Sequence, residues 1–366
     1  MLTIGIDARE LVGNPAGKGQ YLQRIVDQWL LTASEKLSLV LYVRAGEKLD
    51  TISGTDNVSI RVIPVAGRVF LWHRAVGKRL KQDGVAVFFA PLSYQSALWN
   101  PVPTVTVVHD LSVFLMQGFQ HNRRSEFTEK MSLKRSVHKS EALIAVSQST
   151  KNDLVTITGV APESVTVTVL AALLAKQNVI PYADRKPYIL FVGTLEPRKN
   201  IETLLRAYAL LPQELRNTYS LVLAGKHGWG GEDYHALAEK LGIKAHVDFK
   251  GYVTTEDLIK LYREALLLVY PSWYEGFGLP VIEAMALGTP VVTSATSSLP
   301  EVVGDAGTLC EPSDASGISQ AIQHYLTDLN FWQEKQKAVL QQAEKFSWEQ
   351  TATQTLQILK RVSKGN

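Results

Sequence analysis

The sequence holds one cysteine in 366 residues, Cys310, so no internal disulfide framework exists, and such usage suits a reducing compartment. A lone cysteine of this kind is expected as a small buried hydrophobe. No apolar run approaches the roughly 20 residues that span a bilayer. The opening MLTIGIDARE has neither the basic region nor the cleavage site of a signal peptide and reads as a first strand. The expected location is therefore cytoplasmic. Excess charge is also lacking, with 38 Lys and Arg against 35 Asp and Glu. Tandem repeats and low-complexity segments are absent. Neither half contains G-x-G-x-x-G with an acid about 20 residues further on, which removes the dinucleotide-dependent oxidoreductases.

What is present is an apolar fraction of 46% and a charged fraction of 20%, the balance of a globular protein with an ample core. The length suggests two domains at about 150 residues each. Strand-like runs alternate with helical patterns throughout, the mark of parallel sheets built from βαβ units. LTIGIDA, SLVLYVR, VSIRVIP, VAVFFAP, PTVTVVHD, ALIAVS and VTVTVL fall in the first half; YILFVGT, SLVLAG, HVDFKGY, LLLVYPS, VVTSA and GTLCE fall in the second. The fold class is α/β, with two doubly wound Rossmann-like domains. Expected boundaries are 1–178 and 188–345, with a final amphipathic helix over 346–366. The connection AALLAKQNVIPYADRKP carries two prolines and a charged tail, as a linker does.

Charge is unevenly placed. Residues 1–180 hold 20 Lys and Arg against 14 Asp and Glu, whereas the remainder holds 18 against 21. The excess lies at Arg68, Arg74, Lys78, Arg79 and Lys81, and again at Arg123, Arg124, Lys130, Lys134, Arg135 and Lys139. Neither stretch interleaves the aromatics that single-stranded nucleic acid needs, so no nucleic-acid partner is expected. A solvated face or an anionic membrane surface fits instead, and peripheral contact with the inner face of a membrane stays open.

The most informative stretch is YPSWYEGFGLPVIEAMALGTPVVTS, Tyr270 to Ser294. A buried parallel strand ends at Tyr270, and a loop follows through Glu275-Gly276-Phe277-Gly278. Pro280 stands where a helix can begin without losing a hydrogen bond. Gly288-Thr289-Pro290 ends that helix before the next strand. Glycines ahead of a helix N-terminus let backbone N–H groups approach an anion or a sugar hydroxyl. Glu275 in the loop and Glu283, read as lying on the first helical turn, flank that point. Further along the same theme, Arg198 and Lys199 precede another helix. Dipole stability disfavours cations there, but a bound diphosphate would favour them.

Two glutamates separated by seven residues inside EGFGLPVIEAMALGTPVV resemble the signature of retaining glycosyltransferases of family four, two-domain GT-B enzymes that use nucleotide-diphospho-sugars. The resemblance spans nearly the whole chain and is strongest from Tyr188 to Gly307. It implies two domains facing a deep cleft, with the last helix crossing back to the first domain. It implies that Glu283 grips the ribose hydroxyls and Glu275 lies beside the donor sugar. The backbone of Gly276, Phe277, Gly278 and Leu279 would meet sugar hydroxyls. Arg198 and Lys199, after Gly193, would clamp the diphosphate, and Tyr252 and Val253 would seat the base. In the first half, GNPAGKGQYLQRI resembles the family's N-terminal glycine loop, which places Gly13, Gly17 and Gly19 against the diphosphate and the acceptor. His109, in VVHDLSVF, would bind or orient the sugar, with Asp110 as its structural partner and Leu111 to Asn122 as an acceptor-side loop. Glu301 would brace the donor loop. Many relatives carry Pro-Asn-Gly after the VTVTV-like strand. This chain has VLAALLAKQ, which leaves the geometry near 171–180 open.

No Asp-x-Asp pair occurs, so the leaving diphosphate is expected to be neutralised without metal, by Arg198, Lys199, loop N–H groups and a helix dipole. His109, Glu275, Arg198 and Lys199 form the catalytic set, and no cofactor is expected. The expected reaction moves a sugar to a glycan or lipid-linked acceptor with retention. Front-face attack is favoured, because no nucleophile stands out for double displacement. The SLPEV…GDAG ending resembles that of mannosyl- and related transferases, a resemblance that implies GDP-mannose over UDP-sugars as donor. A nucleotide-sugar epimerase on the same fold and a catalytically silent paralogue are the alternatives.

Overall fold

The computed structural model of the chain describes residues 1–11, 17–32, 37–44, 57–65, 69–116, 132–174, 178–228 and 233–365. Gly13, Arg68, Arg123, Arg124, Lys130 and most of the stretch after Met116 lie outside the described residues. The contacts divide the chain into two compact units. The first is formed by the described parts of Met1–Phe114 and Asn122–Leu170 together with the closing segment from Ser347; the second holds Ala171–Phe346.

The first unit is built on seven parallel strands: β1 Leu2–Asp7, β2 Leu37–Arg44, β3 Val58–Ile63, β4 Val87–Ala90, β5 Thr104–Val108, β6 Ala142–Ala145 and β7 Val165–Val167. Their order is β3-β2-β1-β4-β5-β6-β7. Strands β4, β5 and β6 are buried at every residue, as expected for a sheet covered on both faces. The edge strand β3 is buried only at Ile63. Helix starts follow from local chemistry. Ser147 stands just after β6, and its hydroxyl accepts from Thr150 N at 3.0 Å to cap the helix Gln148–Thr158. That helix closes on Gly159 at φ 72°, the left-handed position glycine takes without strain.

The last helix, Trp348–Ser363, begins at the cap Ser347 and buries Thr351, Ala352, Thr355, Ile358, Leu359 and Val362 along one face. That face meets the helix Lys18–Thr32 and strands β4, β5 and β6. The Trp29 indole donates to Ala352 O at 2.8 Å, and the Thr351 hydroxyl to Val169 O at 2.6 Å. The chain end is thus part of the first core.

The second unit repeats the plan with six parallel strands: β8 Tyr188–Val192, β9 Ser220–Ala224, β10 Val247–Gly251, β11 Leu267–Tyr270, β12 Val291–Ser294 and β13 Thr308–Cys310. Their order is β10-β9-β8-β11-β12-β13. The winding reverses between β1 and β4 in the first sheet and between β8 and β11 in the second, which opens a crevice at the carboxyl ends of those strands.

One sequence expectation fails here. Cys310 is half-buried, because it lies on the edge strand β13, and burial followed by the nearby Asp314 charge pushes its thiol up to about 11. In the charged linker tail, Asp184 and Lys186 are exposed, but Arg185 between them is buried. Arg185 is 7% exposed and donates to Ala265 O at 2.6 Å, Thr289 Oγ1 at 2.8 Å and Gly288 O at 2.7 Å. Its guanidinium also sits 5.0 Å from the Trp332 ring centroid. A buried arginine ties the incoming chain to the turn that ends the signature helix.

Candidate active site

At the reversal point of the second sheet, Gly193 follows β8 and the chain turns through the short 3₁₀ segment Pro197–Lys199. Asn200 holds the left-handed conformation (φ 59°), and its side-chain amide donates to Pro271 O at 2.9 Å and Pro312 O at 2.6 Å. Those bonds moor the cation-bearing turn to the loop after β11 and to the segment after β13. Trp273 N donates to Arg198 O at 2.9 Å, adding a backbone tie between the same two segments.

The cations and Glu275 meet there. Lys199 Nζ lies 2.6 Å from Glu275 Oε1, and Arg198 Nη1 lies 3.1 Å from Oε2. Arg198 also donates to Tyr274 O at 2.8 Å and, through Nη2, to Glu196 Oε1 at 2.8 Å. The Tyr270 hydroxyl accepts from Lys199 and donates to Glu275 Oε1 at 3.0 Å. Lys199 and Glu275 are only 8% and 7% exposed, so these charges are largely out of water. Burial works to raise the Glu275 carboxyl, but Lys199 and Arg198 outweigh it and hold the group down at about 2. Burial pulls the Lys199 ammonium the other way, below its usual range, against the attraction of Glu275. With the carboxylate ionised at 2.6 Å, the ion pair is the state favoured near neutrality.

The loop that carries Glu275 is fastened from behind. Glu275 N donates to Ser297 Oγ at 2.9 Å, and the Ser298 hydroxyl reaches both Glu275 O and Phe277 O at 2.9 Å. Ser297 takes φ 52°, an uncommon conformation for a residue with a side chain. These two serines brace the loop. Glu301, expected in that role, is an exposed acid in the first turn of the helix Leu299–Val303. Phe277 is buried against Phe346, so only its backbone is a candidate for ligand contact.

Gly278, at φ 106°, is the N-cap of the helix Leu279–Ala286. The helix starts one residue before Pro280, which moves Glu283 to the fifth helical position, beyond the first turn. Its side chain points into the unit, where it is 7% exposed and accepts from the Tyr262 hydroxyl at 3.0 Å. Burial raises its carboxyl to about 7, a shift that the Tyr262 bond opposes. Glu275 and Glu283 are thus opposite in character: one anchored as an anion, the other poised to titrate near neutrality.

After β10, Tyr252 is 66% exposed and Val253 half-buried. Lys226, after β9, places its ammonium 4.7 Å from the Tyr252 ring centroid. Arg198, Lys199, Gly193 and Glu275 through Leu279 therefore come together at one reversal point. Glu283 stands on the adjoining helix with Tyr262, and Tyr252 and Val253 are at the neighbouring strand end. Sequence reasoning passed over Tyr270 and Tyr262. Each closes an apolar pattern, on β11 and on the helix Thr255–Glu264, and so reads as core. Their hydroxyls become partners of the two glutamates only in the fold. Glu196 carried a signal, an acid two residues before a cation pair.

In the first unit, His109 follows β5 and its Nε2 lies 2.7 Å from Pro91 O. That carbonyl can only accept, so Nε2 carries the proton and Nδ1 is the acceptor. Burial and then Lys18 lower the imidazole to about 4, so it is neutral at physiological pH. Asp110 accepts from Ser112 N at 3.2 Å and Ser112 Oγ at 2.6 Å, capping the short helix Ser112–Leu115. A cavity of about 310 Å³ opens beside His109, lined also by Lys18, Ser93, Tyr94, Gln95 and Asp110. Gly17, at φ 50°, precedes the helix in which Gly19 is buried.

This arrangement, two Rossmann-like units with paired cations and carboxylates at a strand-order reversal, is that of a sugar-transferring enzyme of the GT-B fold. The chain belongs to the group 1 glycosyl transferases: the profile described as "Glycosyl transferases group 1" matches residues 175–346, and that of "Glycosyltransferase Family 4" matches residues 33–168. It is 39% identical over 267 residues to the O-antigen chain mannosyltransferase B of Escherichia coli, covering 70% of each chain. It is 35% identical over 276 residues to the serotype-specific mannosyltransferase WbdA of Escherichia coli, covering 69% of this chain and 32% of that protein. Among solved structures, sucrose-phosphate synthase from Thermosynechococcus elongatus matches over 100% of both chains with a TM-score of 0.79 at 20% identity, a likeness of fold. Among the described residues no helix is long and apolar enough to cross a membrane.

Proposed function

We propose that this glycosyltransferase moves mannose from GDP-mannose to a glycan or lipid-linked glycan, with retention and without a metal. The observation that carries the reading is the pair of half-buried Arg198 and buried Lys199 at the reversal point of the second sheet, both within ion-pair distance of Glu275. Charge grows on a diphosphate as its bond to the sugar breaks, and preorganised cations in a dry site stabilise it most at that moment. Glu283 takes the ribose hydroxyls, Tyr252 and Val253 the base, and Glu275 with the backbone of Gly276 to Leu279 the sugar. In the first unit, the neutral His109 and the cavity beside it suit the uncharged hydroxyls of a sugar. The names of the two Escherichia coli relatives support mannose as the sugar and an O-antigen-like glycan as the acceptor. The helix Val69–Leu80 exposes Phe70 and Leu71 beside Arg74 and Lys78, which supports peripheral contact with an anionic membrane.

The test is slow donor hydrolysis with GDP-mannose, UDP-glucose and UDP-N-acetylglucosamine, each run with and without EDTA. GDP-mannose should be consumed fastest, and the chelator should leave its rate unchanged. Proton NMR of the first-formed product should show the donor's anomeric configuration kept. A strict requirement for Mg²⁺ or Mn²⁺ would sink the leaving-group account, and preference for a UDP-sugar would reassign the donor.

A further inference from the structure

The cation pair is not a bare anion trap. Arg198 and Lys199 supply two positive charges, while Glu196 and Glu275 return two negative ones at hydrogen-bond distance, so the cluster as a whole is neutral. A diphosphate approaching it meets no net attraction and two carboxylates of its own sign.

The two carboxylates are held differently. Glu196 belongs to the same turn as Arg198 and bonds only that cation among the pair. Glu275 arrives from the loop after β11 and spans both, Oε1 on Lys199 at 2.6 Å and Oε2 3.1 Å from Arg198. Its backbone is fixed independently, through Ser297 Oγ and Ser298 Oγ at 2.9 Å each. The side chain can therefore turn about its own bonds while the loop stays in place. Lys199 keeps a second partner in the Tyr270 hydroxyl, buried at the end of β11, so the ammonium does not depend on Glu275 for its position.

We propose that Glu275 is a displaceable counter-ion: the donor diphosphate replaces its carboxylate on Lys199 and Arg198, and the released carboxylate turns toward the sugar. This rests on the reading of the cluster as the donor-diphosphate site. It gives one side chain two duties in sequence. On entry, the exchange ties seating of the diphosphate to delivery of the carboxylate. After transfer, the returning carboxylate competes with the nucleoside diphosphate for the same cations and speeds its release. A carboxylate that merely faced the sugar would do neither.

Calorimetric titration of GDP, UDP and inorganic pyrophosphate into wild type, Glu275→Gln, Glu275→Asp and Lys199→Ala tests this. Removing the competing charge should tighten the best-bound nucleoside diphosphate, and pyrophosphate, by roughly tenfold or more in Glu275→Gln, as close charge pairs do. Glu275→Asp keeps the charge but is too short to span both cations, so it should tighten binding to a lesser degree. Sugar turnover should fall in both variants, which separates tight binding from productive binding. Binding that Lys199→Ala weakens but that neither Glu275 variant tightens beyond wild type overturns the counter-ion role and leaves the donor site standing. A wild type that takes up neither nucleoside diphosphate nor pyrophosphate, with Lys199→Ala indistinguishable from it, overturns the donor-site reading and this inference with it. Glu275→Asp also covers the case in which the neutral variant does not fold.

Discussion

At the scale of the residue, Glu283 is the group whose chemistry its surroundings change most usefully. Burial lifts its carboxyl to about 7, from an ordinary value near 4.5, against the pull of the Tyr262 hydroxyl. The folded chain therefore binds a proton that the unfolded chain has released across that interval, and stability falls as pH rises from 4.5 to 7. The loss on completion is on the order of 3 kcal/mol. If Glu283 takes the ribose hydroxyls as proposed, only its ionised form is a strong acceptor for both, so a nucleoside diphosphate should bind more tightly as pH rises through about 7. Glu283→Gln should flatten both profiles. Its urea midpoint should not decline across the interval, and its nucleotide affinity should be low and should lack the wild-type step. An unchanged step in Glu283→Gln would place the titrating group elsewhere.

At the scale of the element, the strand ends of the second unit are brought together by glycines at positions where nothing larger fits. Gly225, directly after β9, takes φ 156°, and a Cβ there would stand 1.9 Å from Gly193 O. The contact is with backbone, which has no rotamer to yield. Gly193 leads into the turn that carries Arg198 and Lys199, so a shift at Gly225 is felt by both cations. Gly225→Ala should cost roughly 3 kcal/mol or more, through the clash and the disfavoured backbone angle together. Thermal unfolding measures the first effect. Titration with a nucleoside diphosphate at a temperature where the variant remains folded measures the second, and affinity should fall. A variant as stable as wild type would mean that the strand ends can separate at little cost.

At the scale of the whole molecule, the chain returns to its first unit after completing the second. The helix Trp348–Ser363 covers the face formed by the helix Lys18–Thr32 and strands β4, β5 and β6, and Ala352 O is the acceptor for the buried Trp29 indole. A chain ending at Phe346 uncovers that face and leaves the indole N–H without this acceptor. In calorimetry, such a truncation should lose or lower the unfolding transition of the first unit, while the transition of the second, which contains Ala171–Phe346, persists. Binding of a hydrophobic dye should rise in parallel. Two transitions at their wild-type temperatures would show that the last helix adds little to the first core.

Much of this was legible in the sequence, for identifiable reasons. Runs such as TVTVV and YILFV report strands buried on both faces, because a covered parallel sheet needs apolar residues without alternation. Gly278 and Gly288 mark helix ends because glycine tolerates the required angles without strain. The signature from Glu275 to Glu283 marks the site because it is contiguous in the chain. What the sequence could not determine depends on contacts between distant segments. It placed Glu283 in a first helical turn, where a dipole would favour its charge; packing against Tyr262 instead removes water from it and raises its carboxyl. It read the end of the linker only as charged, and three oxygens from two distant turns draw Arg185 inside. Composition and local pattern decided the α/β class and the strands, since backbone geometry and apolar periodicity are properties of neighbours in the chain. The charge states of the two glutamates were decided by tertiary structure alone, because desolvation and Coulomb attraction depend on which residues meet in space.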